Sequence, residues 1–408
     1  MALTPWLSHF KTDFELARRR RQESIAFDAL RCEAFDRFLL LGCPTQADDQ
    51  WRYVDMTRIA ESNFSLASKP AETRRHQVAS LAFGDTAGIA LTFINGYFVP
   101  DLSTTEERSD GLLVSPLKAV LGADASDATP YFAHIANVDG LPLVALNTAL
   151  FEDGACVLVP AHTVVGTPIH ARFVCNGQAD ARPAMTQPRA LIVVGDHAAA
   201  TVIETYAGAT DVEYFTNAVT EIALGEGARL AHYRVQRESD AGYHISAAHV
   251  IAGAGSTYSA RCTNAGAVLA RTETLATLAG DGAGCAVHGI NIAGREACVN
   301  AHTSIDHAAA NCVSRQRYRW TLTDNALGII SGRTLVRADA TNSRARLANR
   351  AQLLSSRARM VVKPTLDLLA NDVDFCSKIR TARGRSKEEH SGYQADSQPA
   401  SPRTGRST

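Results

Sequence analysis

A chain that turns the same kind of corner at a fixed interval can adopt few folds. Here an apolar stretch followed by Gly-x-Gly occurs at Leu224-Gly225-Glu226-Gly227, at Ala252-Gly253-Ala254-Gly255 and at Ala279-Gly280-Asp281-Gly282, just under thirty residues apart each time. Gly195-Asp196 lies about one further interval upstream. Between the corners run short apolar segments such as Ala155–Val159, Ile169–Val174, Ala190–Val194, Thr201–Tyr206 and Val219–Leu224. They are too short for helices and are punctuated by Gly, Asp or Asn. Within Thr274–Leu278 and Cys285–Ile292 small or apolar residues alternate with polar ones, as half-buried strands require. Fixed-period strands and glycine corners are the signature of a solenoid. A parallel β-helix is therefore expected ahead of an open sandwich, whose strands keep no such period.

The flanks read differently. Phe10, Phe14 and Ala17, then Phe27, Leu30, Ala34, Phe38 and Leu41, recur at helical spacing, and Gly42 with Pro44 supplies the stop. The intervening run Arg18–Arg21 reads as a solvated helix face rather than a docking patch. Trp51–Ile59 reads as extended, Pro70–Leu81 as a second polar helix, and Leu91–Val99 as a hairpin around Asn95-Gly96. Beyond Lys378 the chain is dominated by Ser, Arg, Pro, Gly and Thr, a composition that predicts disorder. The expected organisation is an N-terminal helical region with a β-hairpin over 1–139, a β-helix core over 140–376, and a disordered basic tail over 377–408.

Composition excludes several classes of function. With 46% hydrophobic and 20% charged residues and a net charge of −1, nothing points to nucleic acid or membrane as partner. No signal peptide is read at Met1–Phe10, and no apolar run approaches the ~20 residues that cross a bilayer. Nine scattered cysteines without a C-x-x-C pair suit neither disulfides nor zinc and suggest a reducing cytoplasm. No nucleophile elbow, P-loop or dinucleotide fingerprint is present. Glu204, Glu221 and Glu273 read as isolated, so paired-carboxylate chemistry on polysaccharide is disfavoured. His244, His249, His288, His302 and His307 lack the i, i+2 spacing of strand metal sites and are expected on exposed or partly satisfied strand faces. The densest unusual pattern is Asp306-His307, then Cys312-x-Ser314-x-Gln316-x-Tyr318. Its alternation puts Ser314, Gln316 and Tyr318 on one strand face, expected as a structural cross-strand ladder.

That segment resembles the SufB/SufD family, in which a histidine precedes a C-x-S-x-Q-x-Y-type strand. The likeness extends to Trp51-Arg52-Tyr53, to the hairpin FINGYFVPDLS at Phe93–Ser103, to Leu146-Asn147-Thr148-Ala149 with Asp153-Gly154, and to Gly328–Arg333. It continues through Leu353-Leu354-Ser355, Pro364-Thr365-Leu366-Asp367 and Asn371-Asp372-Val373, in family order over roughly residues 50–376. The SufD branch is favoured, because SufB proteins carry additional N-terminal sequence. The resemblance implies an N-terminal helical region, a right-handed parallel β-helix and a C-terminal helical domain. It also implies a non-enzymatic, cytoplasmic scaffold of iron–sulfur cluster assembly that pairs with a SufB subunit through the β-helix and with the SufC ATPase through C-terminal helices. No cofactor would be held stably, only a transient iron–sulfur cluster in the assembled complex. His307, Cys312, Ser314, Gln316 and Tyr318 would then be structural or interface residues.

One motif departs from the pattern. After D-D-V the family reads C-S-H-G-A-T, whereas this chain has Cys376-Ser377-Lys378-Ile379-Arg380-Thr381. Cys376 remains the metal-ligand candidate. Lys378 occupies the histidine position, and an ammonium offers iron no lone pair. The polar, basic sequence that follows replaces the amphipathic helices of the family, so SufC binding is expected to be lost and the scaffold impaired in this form. A break inside one motif is what a frameshift leaves. A homodimer is compatible with the sequence. The competing readings are a stand-alone β-solenoid interaction protein and, behind it, a β-helix enzyme acting on polysaccharide.

Overall fold

The computed structural model describes residues 5–21, 23–70, 88–108, 110–122, 127–177 and 182–384. Its centre is a β-solenoid of about seven turns, each turn contributing one strand to each of two parallel sheets. The first sheet, here sheet A, contains β1 (Gly154–Val159), β3 (Arg189–Val194), β5 (Tyr214–Leu224), β7 (Tyr243–Ala252), β9 (Leu269–Leu278), β11 (Cys298–His307), β13 (Leu327–Val336) and β15 (Arg359–Leu368). Sheet B contains β2 (Ile169–Cys175), β4 (Ala199–Gly208), β6 (Arg229–Arg237), β8 (Thr257–Ala265), β10 (Gly284–Ala293), β12 (Val313–Leu322), β14 (Arg344–Leu353) and β16 (Asp374–Arg383). Registers carry the sequence period into space: Leu224 lies beside Ala252, and Ala252 beside Leu278.

The two glycines of each corner serve different ends. A Cβ on Gly280 would stand 2.1 Å from the backbone nitrogen of Ala254 in the turn below, so the first glycine allows the corners to stack. Gly255, the second, has φ +63 with open space around it, so it supplies the left-handed kink. Equivalent corners use Asn311 and Asn342, both with positive φ, since asparagine tolerates that region better than most residues.

The lumen between the sheets holds a continuous apolar cluster. Phe93, Phe173 and Tyr206 stack along it with ring centroids 5.2 and 5.3 Å apart. Each such ring removes enough surface from water to contribute about 2–3 kcal/mol. The outer faces differ. β5 is buried almost throughout, whereas β12 alternates buried and exposed residues along its length. The N-terminal region causes the difference by covering sheet A. Helices α1 (Pro5–Arg20), α2 (Ile25–Leu41), α3 (Thr57–Glu61), α4 (Leu117–Leu121) and α5 (Pro142–Leu150) belong to it. Phe35, Phe38 and Leu146 pack with Phe215, Tyr243 and Ile329 on the sheet.

Several local expectations need correction. The arginine run is a solvated face at Arg18, Arg19 and Arg20, which are exposed, but not at Arg21. Arg21 donates to the carbonyls of Ala149, Leu150 and Phe151 at 2.9–3.1 Å, and Arg31 to that of Phe151 at 2.9 Å, so cations cap the buried C-terminus of α5. Arg18 pairs with Asp28 at 2.6 Å. Trp51–Ile59 is not extended but a turn leading into α3. Most of the helix expected at Pro70–Leu81 lies outside the described residues. The hairpin at Asn95-Gly96 is present, with Phe93 opposite Phe98. Residues 377–383, read as tail, are instead most of β16, whose register with β14 runs from Asp374–Arg344 to Arg383–Leu353. Backbone pairing needs no apolar side chains, which is why composition missed it. Residues 385–408 lie outside the described residues.

The two ends of the solenoid are unlike. At the N-terminal end further segments cover both sheets, Leu113–Pro116 running antiparallel to β1 and strand Ile89–Ile94 of the hairpin running parallel to β2. At the other end β15 and β16 each have a neighbour on one side only among the described residues.

Candidate functional site

The C-x-S-x-Q-x-Y pattern falls on β12 and the corner before it. Strand alternation sends Ser314, Gln316, Tyr318 and Trp320 into the lumen and Arg315, Arg317 and Arg319 outward. The inward residues bond mainly across to sheet A. His307 Nε2 lies 2.8 Å from Ser314 Oγ, Gln316 Nε2 donates to Thr334 Oγ1 at 3.3 Å, and Tyr318 hydroxyl bonds to Thr303. The ladder expected along one sheet is thus a set of struts between two sheets. Trp320 alone bonds within its own sheet, to Asn349 at 2.7 Å.

Chemistry at these groups is restrained by burial. Desolvation lowers the His307 pKa to about 4, so the imidazole is neutral, and its Nδ1 has no partner among the described residues. Burial pushes the Tyr318 hydroxyl well above its ordinary range. Cys312 is fully buried at its corner, and its thiol, also raised by burial, lies 3.5 Å from the Gly280 carbonyl. Cys376 is elsewhere. It is half-buried on β16, in register with Arg346 of β14, and Lys378 is exposed two residues further on. Strand alternation places both on the outer face of sheet B. The structure therefore gathers His307, Ser314, Gln316 and Tyr318 in one lumen and leaves Cys376 outside it. Among the described residues no three His, Cys, Asp or Glu side chains group as a metal site.

At the open end of the lumen a cavity of about 220 Å³ is lined by Gln316, Ile330, Thr334, Leu347, Phe375 and Ser377. The last coil of the solenoid thus exposes interior-type positions rather than closing over them.

The carboxylates that read as isolated are all partnered. Glu204 lies 3.3 Å from His232 and accepts from Thr220 at 2.7 Å. Glu221 meets Arg189 at 2.5 Å, with both side chains fully buried. Glu273 accepts from Arg271 Nε at 2.5 Å, and Arg271 stacks over Trp51 at 4.0 Å. Glu204 is in register with Arg234 on the adjacent coil of sheet B, and His232 stands two residues before Arg234 on the same face. The partners of Glu204 and Glu221 stand one coil away, a distance that local pattern reading does not search, whereas Arg271 is two residues from Glu273 on the same strand. The histidines also differ from expectation. His244, His249, His302 and His307 are buried, not exposed, and only His288 is partly open. His244 Nδ1 lies 3.0 Å from Glu238, and His302 Nδ1 3.0 Å from Ser331, so the interior ones are partly satisfied. All nine cysteines are free.

The blocks that carried the family likeness turn out to be joints of the fold. Asn147, in Leu146–Ala149, donates to the carbonyls of Pro188 and Asn217 and accepts from Arg189, which pins α5 to sheet A. Trp51 lies over the Arg271 guanidinium in the same interface.

Comparison with known proteins agrees with this geometry. The model for the SufBD protein N-terminal region matches residues 6–171. The model for the SUF system FeS cluster assembly SufBD core domain matches residues 173–385, continuing past the motif break at Lys378 to the end of β16. The chain is 28% identical to the iron–sulfur cluster assembly SufBD family protein slr0076 of Synechocystis, over 91% of this chain and 84% of that one. It is 23% identical to the iron–sulfur cluster assembly protein SufD of Escherichia coli, over 88% and 80%. Protein ABCI7, chloroplastic, of Arabidopsis thaliana is 24% identical over 86% and 74%. Two family models, joined end to end across helices and solenoid alike, thus show that the chain belongs to the SufBD family of the SUF system for iron–sulfur cluster assembly.

Proposed function

We propose that this chain serves its SufBD role in iron–sulfur cluster assembly as a non-catalytic, SufD-type scaffold subunit of the cytoplasm. It pairs through the open end of its solenoid with a SufB-type sister. One observation carries this reading: among the described residues the solenoid is covered at its N-terminal end and open at the other, where β15 and β16 present unpaired backbone groups. Exposed Leu366, Leu368, Leu369 and Ile379 flank those edges. Long bare edges are aggregation-prone unless a partner completes them. A structural rather than a catalytic role is supported by Ser314, Gln316 and Tyr318, which are buried and bonded across the lumen to His307, Thr334 and Thr303.

The cluster is cargo, met at the sister interface. Cys376, on the outer face of the terminal strand, is the ligand this chain would offer, and Lys378 supplies none. The scaffold is accordingly impaired, and the basic sequence after β16 does not hold the SufC ATPase. A second copy of the chain could complete the same edges, since a two-fold contact is self-complementary. Co-expression with a SufB-type and a SufC-type protein tests the reading. The tagged chain should retain the SufB-type protein and not the ATPase, and Leu366→Asp with Ile379→Asp should release the sister. Iron and sulfide bound to the complex should rise in the Lys378→His variant. Retention of the sister by the double-aspartate variant, or a monomeric chain with no sister bound, would refute the pairing.

A further inference from the structure

The outer face of sheet B, uncovered among the described residues, carries charge that is predominantly positive. On β12 the outward positions Arg315, Arg317 and Arg319 follow one another at every second residue, all exposed. The register continues the pattern across strands, with Arg319 beside Arg350 and Arg350 beside Arg380. Adjacent strands lie about 4.8 Å apart, so three guanidinium groups stand in one row at that spacing. Like charges directly opposite on a sheet repel. Asp374, paired with Arg346, is the only carboxylate in the five strands β8, β10, β12, β14 and β16. The whole chain carries a net charge of only −1. This face is therefore a segregation of charge and not a reflection of composition.

The same face holds apolar side chains. Ile290 and Ile292 on β10 are each 50% exposed, and Ile290 is in register with Arg319. His288 beside them is half-buried between Arg261 and Arg317, and burial together with those two cations lowers its pKa.

We propose that the outer face of sheet B docks an acidic protein surface, one that sets carboxylates on the arginine rows and an apolar side chain on Ile290 and Ile292. Charge complementarity fixes the sign of the partner, and arginine meets carboxylates in a bidentate fork. The isoleucines fix its class. A nucleic acid backbone has nothing to bury against them, and the outward aromatic ring nearest to them, Tyr233 on β6, is already taken by the Arg261 guanidinium 5.2 Å away and so offers bases no open face to stack on. Isoleucine is shorter than arginine, so the pair lies below the guanidinium layer. A flat layer of lipid headgroups cannot reach it, whereas a protruding side chain can. The centre of this surface, on β10 and β12, lies three and two strands in from the edge strand β16, and it serves a partner other than the sister subunit.

The full chain can be tested with defined probes at near-physiological salt. Random copolymers of glutamate and tyrosine are compared with polyglutamate, the single-stranded oligonucleotide (dT)30 and vesicles containing phosphatidylserine. The glutamate–tyrosine copolymer should bind tightest and should raise the pKa of His288, followed by its ring resonances. Arg315→Gln with Arg317→Gln and Arg319→Gln should weaken that binding about tenfold. Ile290→Ser should abolish the advantage of the tyrosine copolymer over polyglutamate. All these positions are exposed, and unchanged thermal melting confirms that the variants fold. Tighter binding of (dT)30 or of the vesicles overturns the proposal, as does indifference of the copolymer to the arginine variants. Because Leu366 and Ile379 are untouched, sister pairing is scored independently.

Discussion

Replacing Glu221 by leucine should loosen the N-terminal region from the solenoid. Glu221 and Arg189 are both fully buried and 2.5 Å apart. The same carboxylate accepts the backbone N–H groups of Ala133, Ile135 and Ala136 at 3.0–3.1 Å. Arg189 in turn donates to Asn147 and Thr148 of α5, each at 3.0 Å. One carboxylate therefore joins sheet A, the loop before α5, and α5 itself. Removing one member of a buried ion pair costs roughly 3–5 kcal/mol, because the other charge is left uncompensated. The three abandoned N–H groups would add about 1–3 kcal/mol apiece if none found water. Relaxation of the loop recovers part of this, so a loss of at least about 4 kcal/mol is expected against a usual total of roughly 5–15. Glu221→Gln keeps acceptors for the loop but not the charge, and should fall between. Arg189→Met combined with Glu221→Leu should be more stable than Glu221→Leu alone, since no charge remains unpaired. Chemical denaturation gives the energies, and hydrogen exchange over residues 128–150 locates the opening. A Glu221→Leu protein within about 1 kcal/mol of the parent would refute the reasoning. So would a double variant whose loss equals the sum of the singles.

Two further outcomes follow from burial and close approach. Burial holds His170, His249, His302 and His307 at about 4, below the ordinary 6.5, so the unfolded chain binds more protons between those values. Stability should be full above pH 6.5 and fall as pH drops toward 4, by up to about 1.4 kcal/mol per pH unit for each histidine. Asp153, raised by burial to about 6, runs the other way and offsets roughly one of the four. Urea midpoints at pH 7 and pH 5 measure the slope, and a flat profile would count against it. Gly332→Ala should destabilise by roughly 3 kcal/mol or more, because its Cβ would lie 2.0 Å from the Thr303 carbonyl oxygen at φ +155. Gly166→Ala meets nothing within 4 Å and serves as the neutral control in the same melts.

The repeat was legible because its markers are backbone requirements. Gly227, Gly255 and Gly282 stand where the chain needs positive φ, and no tertiary context is needed to read that. The N-terminal helices were legible from Phe10, Phe14 and Phe38, although the break between them was not, despite Ser24 capping α2 by accepting from Phe27 N–H at 3.3 Å. What escaped reading were interactions one coil away. Glu204, Glu221 and Glu273 looked solitary because their bases sit on neighbouring coils or two residues along a face that the helices cover. Arg21 looked solvated because the carbonyls it caps lie more than a hundred residues downstream. The strand Asp374–Arg383 escaped for a different reason. It is held by backbone bonds to β14, and its mostly exposed side chains carry no signal of that.

The candidate site divides in the same way. Alternation put Ser314, Gln316 and Tyr318 on one face correctly, but not which face, and so not that their partners would be His307, Thr303 and Thr334 across the lumen.

The unlike ends of the solenoid also bear on how the protein survives. Each coil leans on the one before, so fraying begins at the last strands and works inward, while hairpins guard the beginning. A companion seated on β15 and β16 would act as a stopper. The melting temperature should then climb with the companion's concentration, and a cell making this chain in excess over its companion would lose the surplus to proteolysis.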